Sequence, residues 1–286
     1  MSKEKINLLT PIQQLNLFGY ESYFNFFTKL FENKQIPNSI LLSGLKGSGK
    51  STFVYHLVNY LLSKKENHKY SITNFAINPD NYSYNLINNR THPNLFLIEN
   101  NSSEKEIKID RVRNLLKFLN KTTYSRNIKI VMIDNAEYLN LSSSNSLLKA
   151  IEEPQPNTFF FIIHNSSFKI LNTIKSRCTE FKIFFNKEEK KKILKNIFKI
   201  YNINSNYVHI IENFYFDTPG NLIKYLSILD NSKIDIIKNK LSSIHYFMNE
   251  YIRTKNPEIL FFISTFVEKY YNDMCSNNKK NQIYYF

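Results

Sequence analysis

The chain is poor in glycine, cysteine and tryptophan: its 286 residues hold five glycines, two cysteines and no tryptophan. With Cys178 and Cys275 as its only cysteines and no Cys-x-x-Cys, the chain has no zinc module and no disulfide framework, a usage that fits a reducing cytosol. No apolar run approaches the roughly 20 residues that a membrane-spanning helix needs. The polar start, Met1 to Lys5, lacks the apolar core of a signal peptide, so a cytoplasmic protein with no membrane partner is expected. The six histidines do not cluster, and neither a Ser/His/Asp triad nor a metal-ligand spacing is present. Acidic residues are scarce relative to basic ones, 24 against 38, which gives a net charge of +14. That excess invites a nucleic-acid partner. Abundant Lys, Asn, Ile, Phe and Tyr with little Gly or Ala is also what AT-rich codon usage produces, so charge supports a polyanion partner only weakly.

Against this scarcity, three of the five glycines fall within six residues, in Gly44-Leu45-Lys46-Gly47-Ser48-Gly49-Lys50-Ser51. This is G-x-x-x-x-G-K-S, a phosphate-binding P-loop, in which backbone turns tightly and lets an anion come close. Ser39–Ser43 reads as a buried strand entering the loop. Thr52 to Leu62 carries Phe53, Leu57, Val58 and Leu61 at helical spacing behind it. Loop amides and the helix N-terminus cradle the β-phosphate in such a motif, Lys50 reaches the β/γ oxygens and Ser51 ligates Mg²⁺. The candidate ATP-binding residues here are Gly44, Lys46, Gly47, Ser48, Gly49, Lys50, Ser51 and Thr52, with ATP and Mg²⁺ as cofactors.

Residues 8–183 alternate strand-like apolar runs with helical patterns, which predicts an α/β domain with a mostly parallel sheet flanked by helices. Strands are expected at Ser39–Ser43, Asn94–Glu99, Ile128–Asp134, Thr158–His164 and Glu180–Phe184. Helices are expected at Tyr20–Phe31, Thr52–Ser63, Asp110–Lys121, Ser142–Glu152 and Ile170–Lys175. The polar, Asn- and Tyr-rich stretch from Lys64 to His92 reads as a surface insertion. Beyond Phe185 the period becomes helical, with Lys187–Tyr201, Tyr207–Phe214, Asn221–Leu229, Lys233–Met248 and Ile259–Met274 as helices. The expected division is 1–184 for the nucleotide-binding domain, 185–230 for a small helical lid, and 231–286 for a short all-α C-terminal domain.

Ile128 to Asp134 is an apolar strand ending in a carboxylate, the Walker B pattern, and Asp134 is placed to hold the Mg²⁺ shell. Hydrolytic P-loop machines of this type usually carry Glu immediately after that Asp, to polarise the attacking water. Here the position is Asn135, and an amide does not take up a proton. Glu137 is acidic and near, but stands where the chain is expected to turn away, and it is not taken as a substitute base.

A third block follows. Asn145 to Pro154, N-S-L-L-K-A-I-E-E-P, is an amphipathic helix stopped by proline. It leads to a strand, to His164-Asn165, and to Ser176-Arg177-Cys178. In this order the chain resembles the AAA+ clamp-loader ATPases, and among them the delta-prime branch of bacterial DNA polymerase III, over about residues 8–230. The resemblance implies an AAA+ fold, with Phe18, Gly19 and Tyr20 on the adenine side and Asn165 as a polar contact to the γ-phosphate. It also implies that Arg177 acts in trans, reaching the ATP site of a neighbouring subunit; the competing reading is a surface arginine at a helix end. Aligning Asp217-Thr218-Pro219-Gly220 with the second-sensor motif places Gly220 where a motor subunit has arginine. The zinc-binding cysteines of many relatives are absent.

On helix 110–121, Arg113, Lys117 and Lys121 recur every four residues opposite an apolar face of Ile109, Val112, Leu115, Leu116 and Leu119. They are candidate DNA phosphate contacts, or else an ordinary solvated face. Gln14-Leu15-Asn16-Leu17-Phe18 resembles a sliding-clamp docking peptide, as Gln282 to Phe286 does more loosely, but the first overlaps the adenine box and is expected to be packed. The expectation is a clamp-loader subunit that binds ATP, hydrolyses little or none itself, presents Arg177 to a neighbour and helps load the sliding clamp on primed DNA. Its partners are the other loader subunits, the clamp through the complex, and the DNA backbone. The alternatives are a self-sufficient motor subunit of the tau/gamma type, against which Asn135 and Gly220 speak, and a P-loop module outside replication such as a nucleotide kinase, which leaves Ser176-Arg177-Cys178 without a role.

Overall fold

In the computed structural model of the chain, residues 10–99, 106–121, 128–201, 217–232 and 240–277 are described. The chain divides into two compact units, residues 9–196 and the residues from 197 onward.

The first unit is built on five parallel strands: β1 (Ser39–Gly44), β2 (Leu95–Ile98), β3 (Lys129–Ile133), β4 (Thr158–Asn165) and β5 (Thr179–Lys182), in the order β2-β3-β4-β1-β5. β1, β3 and β4 are buried along their whole length. That is why each carries a continuous apolar run, Ile40–Leu42, Ile130–Ile133 and Phe159–Ile163: a central parallel strand is covered on both faces. Around the sheet lie α1 (Glu21–Glu32), α2 (Lys50–Leu62), α3 (Tyr82–Asn88), α4 (Ile109–Asn120), α5 (Leu141–Glu152), α6 (Asn172–Lys175) and α7 (Lys187–Ile200).

Leu41, Val131, Ile133, Phe160 and Ile162 of the sheet pack with Val112, Leu115 and Leu119 of α4 and with Leu147 and Ile151 of α5. An aromatic layer joins α1 and α2 to β5: Phe27 lies 5.5 Å from Phe53 and 4.9 Å from Phe181 between ring centroids. Lys129, the one charge in β3, is buried because its ammonium caps α4, donating to the Leu119 carbonyl at 2.6 Å. A cation at a helix C-terminus meets orphan carbonyls and the negative end of the dipole.

The stretch from Lys64 to His92 is largely exposed, as expected of a surface insertion, but five of its residues anchor it to the core. Tyr70 is buried and stacks on Phe24 at 4.8 Å between centroids. Its hydroxyl lies 3.0 Å from Nδ1 of the buried His56, whose Nε2 lies 3.0 Å from the Gln14 carbonyl. Asn81 is fully buried and caps α3, accepting the Tyr84 amide at 2.6 Å while donating to the His68 carbonyl at 2.7 Å. Tyr70, Asn81 and Ser83 enter the core because each finds partners there, and Ile77 and Ile87 follow them. Gln14 to Phe18 is packed as expected, with Leu17 buried and its amide donating to the Phe75 carbonyl at 3.0 Å.

β5 ends at Lys182 and α7 begins at Lys187, so the sheet stops where the sequence changes period. The second unit contains α8 (Pro219–Ser232), α9 (Lys240–Thr254) and α10 (Pro257–Asn277). Tyr225 of α8 donates its hydroxyl to Asp217 at 2.6 Å, and its ring lies 4.9 Å from Phe262 of α10. Phe247 of α9 meets Phe262 edge-on at 5.0 Å. The expected helix at 207–214 and the start of that at 233–248 lie outside the described residues.

Candidate nucleotide-binding site

The C-terminal ends of β1, β4 and β3 lie side by side, with Gly44 in register with Asn165 and Ile133 with Ile162. This edge is where open α/β sheets place their ligands. Gly44 ends β1, and the loop runs to Gly49, the N-cap of α2, at φ +93°, a left-handed conformation that a side chain there makes costly. α2 starts at Lys50, so its first-turn amides face the loop.

Lys50 is buried, and its ammonium donates to the carbonyls of Gly44 and Leu45, both at 2.8 Å. Burial lowers its pKa to about 8, against the opposing pull of the Asp134 and Glu137 carboxylates. One residue on, Ser51 donates its hydroxyl to Asp134 Oδ2 at 2.7 Å. Asp134 stands just past the end of β3, where its other oxygen accepts the Asn135 amide at 2.9 Å. Burial raises the Asp134 pKa, Ser51 lowers it and the nearby Glu99 carboxylate raises it again. P-loop and Walker B strand are therefore joined through the two residues expected to hold Mg²⁺.

Asn135 adopts a left-handed φ of +57°, which Asn tolerates better than most residues, and opens the 3-10 turn Ala136–Tyr138. The chain does turn there, yet the turn brings Glu137 back to the site instead of away. Its Oε2 accepts the backbone amide of Asn165 at 3.1 Å, at the end of β4. The expectation that Glu137 leaves the site is thus corrected; its charge reaches Lys50. Asn165 itself is buried, and its side-chain oxygen accepts the Ser167 amide at 3.2 Å.

One further site feature carries no sequence motif. Tyr55, one helical turn after Ser51, donates to Glu99 Oε1 at 2.5 Å, and Arg90 pairs with Oε2 of the same carboxylate at 2.5 Å. Since Ile98 is in register with Ile133, Glu99 and Asp134 are neighbours at adjacent strand ends, each tied to α2. The i, i+4 spacing of Ser51 and Tyr55 is the signal from which this ladder is readable. Of the residues expected on the adenine side, Tyr20 is buried and stacked on Phe53 at 4.9 Å, and its hydroxyl donates to the Ser48 carbonyl at 3.1 Å. It braces the P-loop from the core. Gly19 has φ +76° and Phe18 is half-buried beside it.

The remaining expected residues lie elsewhere in this unit. Arg177 Nε donates to Glu152 Oε2 of α5 at 2.9 Å, and its Nη1 to the Thr173 carbonyl at 3.2 Å. Cys178 packs against the core, and burial pushes its thiol up to about 12. Arg113, Lys117 and Lys121 are exposed, while Val112, Leu115 and Leu119 on the other side of α4 are buried; Arg113 pairs with Asp110 at 3.0 Å. In the second unit, Asp217 accepts the Thr218 amide at 2.6 Å ahead of α8, with Gly220 in its first turn.

Residues 19–187 match the family described as DNA polymerase III, delta subunit. The chain belongs to this family. Among curated relatives, the DNA polymerase III subunit delta-prime of Pseudomonas aeruginosa is 30% identical over 154 residues, 54% of this chain and 45% of the relative. That of Buchnera aphidicola subsp. Baizongia pistaciae is 28% identical over 259 residues, 85% of this chain and 66% of the relative. The matches therefore span less than two thirds of either relative. Among solved structures, a DNA polymerase III gamma subunit-related protein of Thermotoga maritima is 16% identical, with a TM-score of 0.48 over 77% of this chain and 76% of that one. No helix among the described residues is long and apolar enough to cross a membrane.

Proposed function

We propose that this chain is a delta-prime-like clamp-loader subunit of DNA polymerase III that binds ATP without driving the hydrolytic cycle itself. It works in the cytoplasm, in a hetero-oligomer with other loader subunits, and helps place the sliding clamp on primed DNA. Membership of the delta subunit family supports the setting. The observation that carries the division of labour is Asn135: beside an assembled Lys50–Ser51–Asp134 site, the residue after the Walker B aspartate is an amide.

The Ser51 hydroxyl and the Asp134 carboxylate are hard oxygen donors 2.7 Å apart, a pair that suits Mg²⁺. The ion, when bound, would neutralise phosphate charge. Lys50 supplies a desolvated cation to the terminal phosphates, and the amides of 46–49 and of the start of α2 hold the others, Thr52 among them. Phe18 and Gly19 flank the adenine, and Asn165 contacts the γ-phosphate. With Asn135 and Gly220 at the two positions where a motor subunit carries Glu and Arg, bound nucleotide is retained and not turned over.

Arg177 is the finger offered to the adjoining subunit, where a guanidinium stabilises transition-state charge. Arg113, Lys117 and Lys121 face DNA phosphates, contributing affinity and no base reading. We assign 1–184 to the nucleotide-binding domain, 185–230 to the lid and 231–286 to the C-terminal domain.

Purification of the tagged chain at its native level from its own cells tests the setting. Gamma-type and delta-type DNA polymerase III subunits should copurify in fixed ratio through a sizing column. A chain that runs alone, with no replication subunit attached, overturns the proposal.

A further inference from the structure

Asp134 and Glu137 are the two acids whose charges act on Lys50, and only Asp134 has a part in the cation site. Glu137 comes to the loop at the end of β4, on the same sheet edge. Asn135 turns the chain at φ +57°, the 3-10 turn 136–138 folds it back, and the carboxylate docks on the Asn165 amide at 3.1 Å. Asn165 is in register with Gly44, and the next amide, that of Ser166, donates to the Gly44 carbonyl at 3.1 Å. The same Gly44 carbonyl accepts from Lys50 at 2.8 Å. One backbone carbonyl thus links the strand that holds Glu137 to the cation that receives the terminal phosphates. A carboxylate held there is a fixed negative charge on the terminal-phosphate side of the P-loop, and a third phosphate brings further negative charge toward it.

We propose that Glu137 sets the nucleotide preference of this site, disfavouring a nucleoside triphosphate relative to the diphosphate. The inference rests on the nucleotide site proposed above and adds its selectivity. Coulomb repulsion between carboxylate and γ-phosphate acts on the triphosphate far more than on the diphosphate, because charge–charge energy falls with distance and is weakly screened in a partly buried site.

The test is equilibrium titration of the full chain with ATP and with ADP, each with Mg²⁺, for wild type, Glu137→Gln, Glu137→Ala and Glu137→Asp. Gln keeps an oxygen for the Asn165 amide while removing the charge; Ala removes both; Asp keeps the charge on a shorter arm. Gln should tighten ATP on the order of tenfold with ADP changed less than about twofold, the differential that two unit charges about 12 Å apart give at an effective dielectric near 20. Ala should shift the ratio the same way, so the outcome survives a failure of the Gln variant to fold. Asp should leave the preference near that of wild type. Equal changes for both nucleotides, or none, in a wild type that binds both would overturn the selectivity and leave the nucleotide site standing. A wild type that binds neither nucleotide overturns both.

Discussion

Arg177 is tied to its own chain: its Nε donates to Glu152 Oε2 at 2.9 Å, with the carboxylate side chain 57% exposed and the guanidinium side chain 32% exposed. Glu152 lies at the end of α5, 25 residues away. A pair this accessible holds the guanidinium in place at little energetic cost to release, about 0–1 kcal/mol.

Replacement of Arg177 by alanine should therefore change the unfolding free energy by no more than about 1 kcal/mol. It should leave this chain's own ATP affinity unaltered. The DNA- and clamp-stimulated ATPase of the assembled loader should drop, with about 10³-fold lost at the one neighbouring site that depends on the finger. Wild-type and variant complexes, assembled to equal extent, are compared for ATPase and for clamp loading. Unchanged rates in both assays would return Arg177 to the role of a helix-end arginine.

Nucleotide affinity should fall as pH rises through about 8. Burial lowers the Lys50 pKa to about 8, so above that pH the free protein loses the charge that the phosphates require. Bound phosphates favour the protonated form and raise this pKa, hence binding at pH 8.5–9 should take up a proton, with an affinity loss approaching tenfold per unit of pH. Calorimetry in two buffers of different ionisation heat measures the proton uptake. Lys50→Arg, which stays charged across this range, should bind with an affinity that does not change with pH between 7 and 9. An equally steep pH dependence in the Arg variant assigns the titration to another group.

Gly19 is held at φ +76°, and a Cβ there meets Ile193 Cδ1 at 2.3 Å and Cγ1 at 2.5 Å. Gly19→Ala should destabilise the protein by about 1–3 kcal/mol, partly through left-handed strain and partly through the clash. Urea unfolding measures it. In a double-mutant cycle with Ile193→Ala, the clash portion should disappear and the strain portion remain. Fully additive effects would mean that Ile193 is not what Gly19 accommodates.

The parts of this protein that were legible in the sequence are those written locally. The P-loop is a contiguous motif between a strand and a helix, and it folds as such, with α2 beginning at Lys50. The apolar run ahead of Asp134 announces β3, and the Ser51–Asp134 bond follows from the pairing of those two motifs. Strand and helix ends were within a few residues because Gly44, Gly49 and Pro154 punctuate them. The place of Glu137 is not legible in the sequence, since it depends on a single left-handed residue, Asn135, whose conformation no neighbouring glycine or proline signals. The segment 64–92 is mostly solvated, as its composition suggests; hydropathy misses Tyr70 and Asn81, whose hydrogen bonds to His56, His68 and Asn59 offset the cost of their burial. Tyr20 reads as part of an adenine box, yet its ring belongs to the core because Phe53 stacks on it. Glu152 as the partner of Arg177 is a contact across the fold that sequence spacing does not disclose.

The central claim is that this chain binds ATP and does not turn it over. Steady-state ATP turnover of the purified wild-type chain, measured beside Lys50→Ala at saturating Mg²⁺, tests it most directly. The account predicts no turnover above the Lys50→Ala background, while a parallel titration shows ATP bound by wild type and bound more weakly by the variant, by about 1.5–3 kcal/mol for the lost charge-assisted contact. Sustained multiple turnovers by wild type that Lys50→Ala abolishes would contradict it, and would make this chain a motor despite Asn135.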